Sequence, residues 1–175
     1  NLELAPTDEM IKIALDVKPE DVCLVPERRE ERTTEGGLDV INNYDLLKDV
    51  CDRLASEGIR TSLFIAPDRK HIEKAIMMNA PVIEIHTGHY ANLEDRASQI
   101  KELKAIKNAV DFANKAGLIV NAGHGLHYKN VQEIVAIKDI EELNIGHSIV
   151  AEALFVGWEK AIRNMKTIIT GPTLK

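Results

Sequence analysis

The feature of this 175-residue chain that most restricts its fold is the regular alternation of short apolar strands with amphipathic helices. Six segments rich in Val, Ile and Leu are each followed by a helical pattern, with mostly short joins. Parallel strands joined through helices take right-handed crossovers. The sequence therefore predicts one α/β domain over residues 1–175. Its predicted strands are 1–5, 21–25, 60–65, 81–86, 118–122 and 142–146.

Capping and stop signals locate several of the predicted helices. Thr7 is positioned to cap the first helix, and Gly117 follows the fourth. The last helix is predicted to run without a break over about 148–169. One side of it would carry Ala151, Leu154 and Trp158.

Two parallel architectures fit this order, a (β/α)8 TIM barrel and an open doubly wound sheet. Most predicted strands carry a polar residue near their carboxyl end. Strand alternation places Glu84 and His86 on one face, with Ile83 and Ile85 on the other. An open sheet would bury both polar side chains under helices, whereas a barrel would direct them into its lumen. We therefore predict a (β/α)8 barrel, of which about six βα units are present.

Charge and composition exclude several classes of function. The formal net charge is −6 and there is no basic block, which argues against nucleic-acid binding. No apolar run approaches 18 residues, so we expect no membrane association and a cytoplasmic location. Cys23 and Cys51 are far apart, match no metal spacing and are predicted to be core thiols. The six histidines show no HExxH spacing, so we expect no metal.

Two similar turns, NAGHG and NIGHS, follow the last two predicted strands. Glycines let backbone N–H groups approach a ligand closely, and His124 is a candidate general acid or base. Gly146 and His147 lie at the start of a helix, where N–H groups and the helix dipole favour a phosphate. Both turns are therefore predicted to face one phosphate-bearing ligand. The alternatives are a tight turn with a hydrogen-bonded histidine, and a helix capped by Ser148 alone.

Two carboxylates and one polar loop are further candidates. Glu3 and Glu84 lie inside strands, where burial would raise a carboxyl pKa and create a proton shuttle. The alternative is a structural ion pair or a solvent-exposed strand end. The polar loop 26–40 contains Gly36 and Gly37, a candidate hinge for a lid over the site. A simple solvated loop is the alternative.

At these residues the chain resembles one family, pyridoxine 5'-phosphate synthase. The resemblance covers the whole chain and rests on four segments: CLVPERREERTTEGGLDV, IEIHTGHYAN, NAGHGLHYKN and ELNIGHSIVAEAL. It implies a (β/α)8 barrel with extra helices that joins 1-deoxy-D-xylulose 5-phosphate to 3-amino-2-oxopropyl phosphate and releases phosphate and water. It further implies phosphorylated small-molecule substrates, no metal, no organic cofactor and a homo-oligomer, an octamer.

The resemblance also implies roles for individual residues. Glu3 and His124 match catalytic acid/bases, and Glu84 matches a carboxylate that stabilises charged intermediates. Substrate and phosphate contacts are implied for Thr33, Gly125, Gly146 and His147.

The chain departs from the family at its front, where the family has roughly two further βα units that carry another catalytic histidine. We therefore expect a fragment or processed form with two exposed strand edges and without full activity. Two other interpretations stay open: another phosphate-binding barrel enzyme, such as an aldolase, and a non-catalytic partial barrel. A Schiff-base aldolase would need a lysine at a strand end, and no predicted strand contains one.

Overall fold

The six predicted strands form one parallel sheet in chain order in the computed structural model, which describes residues 1–27 and 36–171. Each strand pairs with its neighbours in sequence, and β1 and β6 are the edge strands. All six predicted strands are confirmed, with no end displaced by more than two residues. They are β1 Leu2–Leu4, β2 Asp21–Leu24, β3 Arg60–Ile65, β4 Val82–His86, β5 Ile119–Gly123 and β6 Glu142–Asn144.

Helices connect these strands. Thr7 caps the first helix as predicted, because its hydroxyl accepts a hydrogen bond from the Met10 N–H at 3.4 Å. One short helix, α4, follows β4 directly and was not predicted. The helices are α1 Asp8–Val17, α2 Tyr44–Ser56, α3 Arg69–Met77, α4 Gly88–Asn92, α5 Arg96–Lys115, α6 Val131–Val135, α7 His147–Val156 and α8 Trp158–Thr170.

The two faces of the sheet have different chemistry. The outer face, which packs against the helices, is apolar: Val22, Leu24, Leu63, Ile65, Ile83 and Ile85 are fully or almost fully buried there. Each such side chain contributes about 1.5–3 kcal/mol through burial. Strand pairing sets Glu84 beside Phe64 on β3 and Asn121 on β5, so these three share the inner face. Six parallel strands with helices outside and polar groups inside form a half-barrel.

The prediction of one unbroken last helix is wrong, because the chain forms two helices there, α7 and α8. Gly157 has φ 85° and ψ 152°, a conformation that only glycine adopts readily, and its N–H closes α7 by donating to Ala153 O at 2.9 Å. The chain turns there before α8. Leu154 and Trp158 therefore do not share a buried face, and their exposed fractions are 82% and 58%.

Within the polar loop, Gly36 and Gly37 lie close to side-chain and backbone atoms of the sheet. A β-carbon at Gly37 would lie 2.6 Å from the backbone nitrogen of Ala66, so only glycine fits. The next residue, Leu38, donates its N–H to Phe64 O at 2.7 Å. Thr33 lies outside the described residues. In the described parts of the chain, every helix is too short or too polar to cross a membrane.

Candidate active site

A cleft of about 1050 Å³ lies at the carboxyl ends of the strands, on the inner face of the half-barrel. Side chains from β1, β3, β4 and β6 line it, together with the turns after β5 and β6. It brings together every predicted site residue within the described ranges: Glu3, Glu84, His124, Gly125, Gly146 and His147. The two glycine–histidine turns therefore face the same cleft, as predicted.

Glu84 is the buried carboxyl group of the cleft, with an exposed fraction of 4%. Burial raises its pKa to about 7, and the nearby Glu3 charge adds to the rise. Its Oε2 accepts a hydrogen bond from Asn144 Nδ2 at 2.7 Å, which opposes the rise in pKa by stabilising the ionised form. A carboxyl group with this pKa is partly ionised near neutral pH.

Cys23 is a neighbour of Glu84 that the sequence interpretation missed. It was predicted to be a core thiol, and it is fully buried, but it lies on the inner face of the sheet. Its Sγ donates a long hydrogen bond, 3.5 Å, to Glu84 Oε2. Burial raises the pKa of this thiol well above its usual value, which keeps it protonated as a donor. Gly123 leaves space for the Glu84 carboxyl group, since a β-carbon at this position would lie 2.1 Å from Glu84 Oε1.

Glu3 differs from Glu84 because it is exposed, so the expectation that it is buried is wrong. The reason is its position on β1, an edge strand that has a neighbouring strand on one side only. Its pairing partner is Cys23, which places the Glu3 carboxylate on the cleft side of the sheet. Glu3 is thus solvated at the rim while Glu84 occupies the interior.

His124 stands at the end of β5 with an exposed side chain and a backbone φ of 79°. Its ring stacks on that of His86, with centroids 5.1 Å apart and planes inclined by 22°. The Phe64 ring lies near both histidines. Its centroid is 5.0 Å from that of His86, in an edge-on arrangement, and 6.2 Å from that of His124, in a tilted one. His86 thus packs against the ring of His124.

The start of α7 presents backbone N–H groups to the cleft. His147 is the first residue of this helix, and no side chain within the described ranges caps it. Ser148 donates its hydroxyl to Leu126 O at 2.9 Å, so capping by Ser148 is wrong. Gly146 has open space around the position of a β-carbon, and Gly125 faces the same cleft from the preceding turn. The start of α7 therefore offers uncapped backbone N–H groups beside two glycines.

The remaining loop residues divide into two groups. His89 and His127 line the cleft, whereas Tyr128 donates its hydroxyl to Ala161 O at 3.0 Å and joins two elements of the fold. Within residues 1–27 and 36–171, no group of three His, Cys, Asp or Glu side chains is arranged to hold a metal ion.

Several solved structures share this fold at low sequence identity. The Amycolatopsis orientalis BexX/CysO complex matches with a TM-score of 0.55 and 15% identity, covering 94% of this chain and 63% of that one. A 4-hydroxy-2-oxoglutarate/2-dehydro-3-deoxyphosphogluconate aldolase from TTHB1 matches with a TM-score of 0.60 and 9% identity, covering 95% and 66%. The chain thus spans slightly less than two thirds of these structures. At such identities the likeness concerns the fold alone.

A protein-family model gives a more specific result. The model described as pyridoxal phosphate biosynthesis protein PdxJ matches residues 1–171, which is nearly the whole chain. The match includes all six strands and both glycine–histidine turns of the cleft. The chain therefore belongs to the PdxJ family of pyridoxal phosphate biosynthesis proteins.

Proposed function

We propose that this chain forms the catalytic cleft of a pyridoxine 5'-phosphate synthase, within a (β/α)8 barrel. The reaction would join 1-deoxy-D-xylulose 5-phosphate to 3-amino-2-oxopropyl phosphate, close the pyridine ring and release phosphate and water. Membership of the PdxJ family supports the class of enzyme. The observation that carries the assignment is one cleft holding a buried carboxyl group, a histidine and two glycine turns.

The resemblance to the family supports the role proposed for each group, and the shared cleft is consistent with it. The amine of one substrate condenses with the ketone of the other, and His124 and Glu3 move protons during the eliminations and ring closure. Glu84 is buried in the lining of the cleft, so its ionised form would balance positive charge on iminium-like intermediates more strongly than a solvated carboxylate would.

Phosphate binding would be local. Both substrates are dianions, and a net charge of −6 gives no general attraction. The N–H groups at Gly125, Gly146 and His147 would supply the attraction at short range. Thr33, in the polar loop, would contact substrate, as the resemblance implies.

The decisive variant is His124→Ala in the full gene product. We expect turnover to fall about 10²–10⁴-fold, because one general acid–base group contributes that much. Inorganic phosphate binding, followed by 31P NMR, should survive because the N–H groups remain. His71→Gln on α3 is the control. The His71 ring forms a hydrogen bond with Asp68 Oδ1, at 3.1 Å, and does not line the cleft, so this variant should leave turnover unchanged. Unchanged turnover in His124→Ala would remove this residue from the mechanism.

A second candidate function is an aldolase, since aldolases are among the similar folds. No described strand contains the lysine that a Schiff-base aldolase uses. Borohydride should therefore trap no substrate on the protein, and covalent trapping would favour the aldolase. A non-catalytic partial barrel would instead bind phosphate without turnover, which a turnover assay beside the phosphate titration tests.

A further inference from the structure

We propose that Thr87 is a positioning residue that holds the backbone of His124 and thereby directs its imidazole into the cleft. Thr87 lines no part of the cleft itself and would act through His124. The inference rests on the proposed acid–base role of His124.

Thr87 follows directly after β4 and is fully buried. Its Oγ1 lies 2.6 Å from Gly123 O and 2.7 Å from His124 O. Its backbone N–H also donates to Gly123 O, at 2.8 Å. A hydroxyl has one proton to donate, so this proton is shared between two consecutive carbonyls of the turn after β5. One buried side chain thus holds the two peptide units on which His124 is carried.

The turn requires such an anchor because of its backbone conformation. His124 has φ 79°, a left-handed value that L-residues with a β-carbon avoid. A conformation of this kind persists only where the surroundings enforce it. The Thr87 hydroxyl accounts for that enforcement at the His124 carbonyl. Without it, the turn would relax and the imidazole would change direction.

The residues on either side of Thr87 act on the ring of His124. His86 stacks against it, with centroids 5.1 Å apart. Gly88 leaves room for it, since a β-carbon there would lie 2.7 Å from His124 Cδ2. His86 therefore fixes the plane of the His124 ring, Thr87 holds the His124 backbone, and Gly88 leaves space for the ring. We call them the His124 cradle.

The test compares Thr87→Val, which removes the hydroxyl at nearly constant shape, with Thr87→Ser, which keeps it. In the full gene product, we expect Thr87→Val to lower kcat roughly tenfold to a hundredfold, as misplacement of a catalytic group does. KM should be nearly unchanged, since the phosphate-binding N–H groups stay in place. Thr87→Ser should restore most of the lost kcat. Imidazole NMR should show an altered His124 environment in Thr87→Val alone.

Thr61→Val is the matched control. Thr61 is buried in β3 with an exposed fraction of 2%, and its hydroxyl has no hydrogen-bond partner among the described residues. This substitution also removes a buried threonine hydroxyl, but it should leave kcat and the His124 resonances unchanged. Equal losses in Thr87→Val and Thr61→Val would overturn the inference, because they would reflect a general effect on the core.

Two other outcomes separate this inference from the proposed function. If His124→Ala loses turnover while Thr87→Val keeps it, the positioning role is wrong and the acid–base role stands. If His124→Ala keeps turnover, both are wrong. Should Thr87→Val fail to fold, Thr87→Ala decides, because it also removes the hydroxyl that reaches the carbonyls of Gly123 and His124. Wild-type kcat in Thr87→Ala would then overturn the inference.

Discussion

Glu84 is a carboxyl group held where its charge is costly. Desolvation raises its pKa from 4.5 to about 7. The folded protein then binds more protons than the unfolded chain between these pH values, so stability falls as pH rises through that window. The loss is complete above about pH 7, and at 1.36 kcal/mol per pKa unit it amounts to about 3 kcal/mol.

We therefore expect Glu84→Gln to flatten the pH dependence of stability. The amide cannot ionise, so the free energy of unfolding of this variant should change less between pH 5 and pH 8 than that of the wild type. Urea denaturation at both pH values measures the difference. Glu94→Gln, at an exposed loop position, should retain the wild-type pH dependence. An equal drop in Glu84→Gln and the wild type would show that this carboxyl group does not carry the effect.

At the scale of single residues, the sequence predicted on which face of β4 Glu84 lies, but it did not predict which residues surround its carboxyl group. Alternation along β4 was enough to place Glu84 and His86 together. The contacts with Cys23 and Asn144 join Glu84 to residues 61 and 60 positions away, and no local pattern contains that information. Cys23 looked like a core thiol because a buried strand residue has the same pattern on either face of a covered sheet.

At the scale of elements, the break between α7 and α8 depends on one glycine. Gly157 is both the C-cap of α7 and the N-cap of α8, with φ 85° and ψ 152°. Alanine is strained in this conformation at a cost of order 1–3 kcal/mol. The glycine was overlooked because the apolar periodicity continues on both sides of it.

Gly157→Ala should therefore lower the free energy of unfolding by about 1–3 kcal/mol. Chemical denaturation followed by circular dichroism measures it. Gly146→Ala is the control, because Gly146 has φ −114° and open space at its β-carbon position, and it should lose less. Equal losses would mean that the conformation of Gly157 does not determine the break.

At the scale of the whole molecule, α7 and α8 carry apolar side chains that the described part of the chain leaves uncovered. Phe155 and Leu154 are exposed by 87% and 82%, and Trp158 by 58%. Contiguous exposed apolar side chains mark interaction surfaces. The homo-oligomer predicted from the family resemblance would cover such a surface.

The double variant Leu154→Glu with Phe155→Glu should accordingly reduce self-association, because two charges would have to be desolvated at the interface. Sedimentation velocity over a range of concentrations measures it. Lys101→Gln with Lys104→Gln changes the net charge equally on exposed positions of α5 and should leave association unchanged. The same distribution of species in both double variants would exclude this surface from assembly.

By itself, the sequence determined the six strands, the helices between them except α4, the polar inner face of β4 and the two glycine–histidine turns. These features follow from local periodicity and from glycine, which act over a few residues. Only the tertiary structure decided which groups surround each candidate. It buried Glu84, exposed Glu3, split the last helix and brought Thr87 to the carbonyl of His124, 37 positions away. Burial, pKa and long-range hydrogen bonds depend on neighbours in space, which a reading along the chain does not contain.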